Sequence, residues 1–180
     1  MDSSSLASME SKMSAEPAIP EPRYTGPATA RFTALDVGLF LIRLLPGIVF
    51  MFHGSQKLFG WFGGNGIAKF AGFLGSQGVP LPTVAATIAA LVEFLGGLAL
   101  ITGVGTRARG AFIFRAMSLL LFFTMAVASL LVHRHAFSAQ QGGMEYPLTL
   151  AFIALGLAIA GPGSMTLQAA FRGVKSKNAR

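Results

Sequence analysis

The chain contains no cysteine, which excludes a disulfide, a thiolate nucleophile and a cysteine-ligated cluster. A redox role would have to use a bound cofactor, a quinone or a partner subunit. Charge is scarce as well. Only 12% of the 180 residues are charged, about half the share in a soluble domain. No nucleophile–base pair, phosphate loop or zinc motif is present. The histidines show no spacing that recommends a metal or bis-histidine haem site. Gly60-Trp-Phe-Gly-Gly-Asn-Gly66 lacks the strand–helix context of a dinucleotide fingerprint and reads as a bent interfacial loop.

Apolar residues fill the space these absences leave. The chain is 53% hydrophobic with a mean hydropathy of +0.62, and its charges cluster at segment ends. It reads as a membrane protein. The net charge of +7 flanks apolar spans, so it is assigned to topology and anionic lipid headgroups rather than to nucleic acid.

Four apolar spans are predicted, over about Leu35–Phe52, Val84–Gly103, Ala108–Val132 and Met144–Ala160. Gly103-Val-Gly-Thr-Arg107 reads as a tight turn between the second and third, and Gly161-Pro-Gly163 stops the fourth. Residues 1–33, rich in Ser, Ala, Pro and Glu, read as a disordered cytoplasmic tail rather than a secretory signal. Residues 34–168 make the membrane domain and 169–180 a basic cytoplasmic tail. With both termini inside, nine basic residues fall inside (Lys12, Arg23, Arg31, Arg107, Arg109, Arg172, Lys175, Lys177 and Arg180). Three fall outside, namely Lys57, Lys69 and Arg134, a clear positive-inside bias. In the first outer connection, Ile67, Phe70, Ala71 and Leu74 share one helical face and predict a short interfacial helix. Ser164–Phe171 is a candidate for a similar helix on the inside. The predicted fold is therefore all-α: an integral membrane four-helix bundle with a short interfacial helix in the first outer loop.

Glu93 lies in the middle of the second span, which carries no other charge. An acid near the bilayer centre costs roughly 2.5–3.5 kcal/mol even on forgiving insertion scales. A buried basic partner, a proton or a functional site would offset that. Arg43 and Arg115 sit roughly 12 and 10 Å deep, and Glu93 roughly 15 Å, so the sequence predicts that Glu93 pairs with Arg115, Arg43 or both. The alternative is that each arginine snorkels to headgroups, with Asp36 on the Arg43 face to hold it there. Ala85, Ala89, Glu93 and Gly97, with Gly96 beside them, present a small-residue face suited to close helix packing. At the outer end His53, Lys57, His133, His135 and Glu145 are expected to converge as a polar mouth, or else to face water singly.

Taken together, these segments resemble the DoxX family of small bacterial membrane proteins. The resemblance is carried by Leu41-Ile-Arg-Leu-Leu-Pro-Gly-Ile-Val-Phe-Met-Phe-His-Gly-Ser-Gln-Lys-Leu-Phe-Gly60, Leu91-Val-Glu-Phe-Leu-Gly-Gly97, Gly103-Val-Gly-Thr-Arg107, Gly142-Gly-Met-Glu-Tyr146 and Gly161-Pro-Gly163. It covers about residues 35–168. It implies a four-helix protein of the bacterial cytoplasmic (inner) membrane, with His53, Gly54, Lys57, Glu93, Arg107 and Glu145 at characteristic positions. Tyr146-Pro147 departs from the longer Leu-rich run common there, which shortens the fourth span. The resemblance also implies a membrane subunit of a quinone-linked oxidoreductase or oxidative-stress complex, working with a soluble or membrane redox partner. In that reading Glu93, His53 and Lys57 carry the chemistry, and Arg43, Arg115 and Glu145 support cofactor binding, the cofactor being a quinone. The competing class is a non-enzymatic anchor or small-molecule carrier.

Overall fold

The computed structural model describes residues 32–104 and 108–171. Arg107, most of the predicted N-terminal tail and most of the basic C-terminal tail lie outside the described residues. The described part is helical throughout, and its apolar helices make an all-α membrane bundle. Helix α1 spans Ala34–Phe59, α2 Gly66–Ser76, α3 Pro82–Thr102, α4 Ala108–Val127 and α5 Glu145–Ala160. A π-helical turn, Ala128–Val132, extends α4. Three helices are long and apolar enough to cross a bilayer. The 16-residue α5 is shorter, reaching about 24 Å at 1.5 Å per residue. The predicted interfacial helix is α2, and residues 167–171 are helical.

The first helix runs two turns beyond its predicted end. Thr33 and Asp36 form a capping box at its start, and Gly60, in the left-handed region at φ 68°, closes its end. The glycine-rich loop then doubles back on α1. A Cβ on Gly64 would lie 2.5 Å from the Gln56 Cα, so only glycine permits that approach. The Gln56 side-chain amide donates to the Phe62 carbonyl and pins the loop.

Two stripes fix how α1 meets α3. On α1, Arg43, Gly47, Phe50, Gly54 and Lys57 alternate spacings of four and three. On α3, Ala86, Ala90, Glu93, Gly97 and Leu100 do the same. That spacing forms one continuous seam between antiparallel helices, and all of these residues except Lys57 are buried. The predicted small-residue face is therefore present but turned by one position: Ala86 and Ala90 are fully covered, while Ala85 and Ala89 are half-buried. The main apolar core lies between α4 and α5, where Phe114, Leu121 and Met125 meet Leu150, Ala151, Ala154 and Leu157.

The two intramembrane arginines do not reach Glu93, which corrects the predicted arginine–glutamate pair. Arg43 is 1% exposed. It donates to the Leu100 and Ile101 carbonyls at 2.5 and 3.1 Å, and to the Met165 carbonyl. Arg115 donates to the Ala158 and Ile159 carbonyls at 3.1 and 2.7 Å. The last carbonyls of α3 and α5 have no partner within their own helix, carry the negative end of the helix dipole, and outcompete a carboxylate farther away. Asp36 does not hold Arg43 either; it accepts from Thr33 and from the Ser164 amide.

This arrangement reveals a repeat that the sequence alone does not show. In α1–α3 and again in α4–α5, an arginine in the first helix caps the end of the second. Each capped helix ends at a glycine of positive φ, Gly103 or Gly161, whose amide donates to Ala99 or Leu157 respectively. Replacing Arg43 by Gln is expected to destabilise the bundle by about 3 kcal/mol, since hydrogen bonds from a charged donor contribute roughly 1.5–3 kcal/mol each. Arg115→Gln, at an exposed position, is expected to cost less. Thermal unfolding of both variants in detergent gives the order.

Candidate functional site

Glu93 is 2% exposed, and its partner is Lys57, whose side chain is 24% exposed. The Lys57 ammonium donates to both carboxylate oxygens. The pair forms because α1 continues past Phe52, which puts Lys57 on the seam one turn outward of Gly54. There the two backbones are close enough for a lysine to turn inward: a Cβ on Gly54 would sit 2.7 Å from the Phe94 Cα. The long lysine stem carries the ammonium from the end of α1 inward to a carboxylate at mid-depth. From the other side the ammonium faces the ring of Phe70 on α2, 4.8 Å from its centroid, a cation–π contact. Helix α2 is held over the site by Ala71 and Leu74 packed on Ala86.

The pair borders a cavity of about 1050 Å³ in the half of the bundle that carries α2, away from the arginine caps. Its walls are mostly apolar and aromatic, with Phe50, Phe70, Phe73, Phe123 and Tyr146 among them. The polar side chains in its lining are few: Lys57, Glu93, His53, His133, Lys69, Gln56, Asn65, Thr124 and the hydroxyl of Tyr146. The π-helical turn Ala128–Val132 forms part of the wall, and such turns recur at functional sites because they shift the register of a helix face. His53 Nδ1 lies 2.9 Å from the Val49 carbonyl. A carbonyl only accepts, so that nitrogen carries the proton and Nε2 is left for another partner. His133 Nδ1 is tied in the same way to the Gly142 carbonyl at 2.7 Å.

The predicted polar mouth is thus assembled in part. His53, Lys57, Glu93 and His133 share the cavity. His135 lies outside its lining and donates to the Gln141 carbonyl. Glu145 starts α5, its amide donating to the Phe137 carbonyl, while its neighbours Tyr146 and Pro147 line the wall in its stead. Arg43 and Arg115 belong to the helix caps at the opposite end. Lys69, Phe70 and Tyr146 were not singled out from the sequence as site residues. Lys69 and Phe70 could have been found from the face of α2 once that helix was placed over the seam. Among the described residues no group of three or more His, Asp or Glu side chains could hold a metal ion.

The arginine-capped repeat makes the site one-sided. Lys57 stands fourteen residues after Arg43, as Ser129 does after Arg115. Glu93 stands ten before Gly103, as Ala151 does before Gly161. Ser129 and Ala151 are both buried, and Ser129 bonds only within its own helix, to the Met125 carbonyl. Where the first hairpin holds an ion pair, the second holds small uncharged side chains.

A membrane four-helix bundle with a buried lysine–glutamate pair beside a cavity defines the class of protein. The DoxX family model matches residues 38–134, a range that contains all of α1 but its first four residues, the whole of α2 to α4, and the cavity lining as far as His133. The chain belongs to the DoxX family. It is similar to a protein of Bacillus subtilis (strain 168) named "Putative oxidoreductase CatD", with 25% identity over 146 residues, covering 81% of this chain and 96% of that one. No solved structure matches the chain significantly.

Proposed function

We propose that the chain is the quinone-interacting membrane subunit of an oxidoreductase or oxidative-stress complex. The observation that carries this reading is the Lys57–Glu93 pair in the wall of a large aromatic cavity. An ion pair inside a membrane domain is costly to desolvate, and its retention there supports a functional role for the site it faces. The cavity volume lies at the upper end of the range for small-molecule sites, and apolar walls with a few convergent polar groups are what such sites share. A planar ring with two carbonyl oxygens suits it, with phenylalanine faces for stacking and donors for the oxygens. The name of the Bacillus relative supports a redox role.

A bound quinone would supply a two-electron, two-proton acceptor. Lys57 would donate to one of its oxygens, and the free Nε2 of His53 would accept from the hydroxyl that such an oxygen becomes on reduction. Glu93 would hold the Lys57 ammonium in place, and the pair is positioned to pass a proton along the wall. Electrons would come from a partner subunit. With the positive-inside orientation the cavity opens on the outer side of the cytoplasmic membrane, and protons would exchange there.

The test is quinone extraction and mass spectrometry on protein purified in mild detergent, with Glu93→Gln and His53→Ala in parallel and thermal unfolding followed for each. Wild type is expected to retain quinone near stoichiometry. Both variants are expected to lose it while His53→Ala unfolds at nearly the wild-type temperature. A wild-type sample without quinone, and variants that only unfold more readily, would favour an anchor or carrier.

A further inference from the structure

The same cavity has a second boundary that the proposed function does not use. Helices α3 and α4 touch at mid-depth, where a Cβ on Gly96 would lie within 2.8 Å of the Leu121 side chain. Outward of that contact both helices line the cavity. Ile88 on α3, Leu120, Phe123 and Val127 on α4 and Leu131 in the π-helical turn are lining residues, and each is about half exposed. All five lie in candidate membrane spans, so their exposed sides meet hydrocarbon rather than water. The other boundary is polar: Asn65, Lys69 and His133 lie at the ends of the helices. One cavity therefore touches both the hydrocarbon and the outer aqueous edge, with Lys57 and Glu93 between them.

We infer that the ligand enters laterally from the bilayer, through the gap between α3 and α4 bounded by Ile88 and Val127, and that its apolar tail stays in that gap while its polar head reaches Lys57. This rests on the quinone reading of the site and adds the ligand class: a head group carrying a lipid-soluble tail. An apolar tail gains nothing by leaving hydrocarbon for water and then returning to an apolar wall. The side portal removes that detour. Tail-less analogues have the polar edge open to them.

The absence of cysteine makes the portal addressable. Ile88→Cys and Val127→Cys are introduced together and joined by a short bis-maleimide, with the unjoined double variant as control. The full chain is placed in vesicles. The probes are a long-tailed benzoquinone supplied in the bilayer and the same head group without a tail added from water. Binding is read by quenching of Trp61, the chain's single tryptophan. Cross-linking is expected to slow the long-tailed probe by about tenfold or more and to leave the tail-less probe unchanged. Equal rates for the long-tailed probe before and after cross-linking would overturn lateral entry. Loss of both probes together would overturn it too, because they would then share one entrance. Failure of either probe to bind the unjoined protein would instead sink the quinone reading itself.

Discussion

Lys57→Met is expected to destabilise the bundle more than any other single change at the site. It leaves the Glu93 carboxylate 2% exposed without the one cation that pairs with it among the described residues. Breaking a buried pair from one side costs roughly 3–5 kcal/mol, because the remaining charge is uncompensated. The double variant Lys57→Met with Glu93→Met is expected to recover most of that loss, since a buried pair replaced by apolar side chains of similar volume is often neutral. The double variant is also expected to bind no quinone. Thermal unfolding of the three proteins in one detergent checks the stability cycle, and quinone extraction checks the function. A single variant as stable as wild type would mean that Glu93 is not held by Lys57.

Gly97→Leu is expected to have the second large effect. A Cβ there would lie 2.5 Å from the Met51 amide nitrogen and 2.7 Å from the Gly47 carbonyl oxygen. Both are backbone atoms, so no side chain can swing aside, and α1 has to move off α3. Overpacking of this kind costs 1–3 kcal/mol when side chains can adjust, so about 3 kcal/mol or more is expected where they cannot. The same displacement parts Lys57 from Glu93. Gly156→Leu supplies the control, because nothing lies within 4 Å of a Cβ on Gly156 and the change is expected to be near neutral. Comparing monodisperse yield and unfolding temperature of the two variants separates a packing effect from a general intolerance of leucine.

The course of the chain was legible from hydropathy. The four spans, the short outer helix and the turns at Gly103 and Gly161 all follow from apolar runs broken by glycine and charge. Glu93 was legible as the centre of interest, because a carboxylate in such a run has few explanations. Its partner was missed for a specific reason. Hydropathy falls at His53, which ends the predicted first span at Phe52 and places Lys57 in the connection that follows it. A helix does not stop where lipid-like composition stops, and here it continues to Phe59. The alternating spacing of Arg43, Gly47, Phe50, Gly54 and Lys57 carried that information. Depth alone pointed to the arginines, but it takes no account of the free carbonyls at helix ends that compete for a guanidinium.

Arg43 also links the beginning of the membrane domain to its end. Its acceptors on Leu100 and Ile101 are made when the second span is made, whereas Met165 follows the last one. During synthesis the guanidinium must wait through the whole second hairpin with part of its hydrogen-bonding capacity unmet, in surroundings where little else can satisfy it. Completion of the bundle is thereby tied to arrival of the segment that follows α5, and a chain halted before Met165 would leave the buried Arg43 guanidinium one acceptor short. The same contact therefore makes the cap of the first hairpin depend on residues that are translated last.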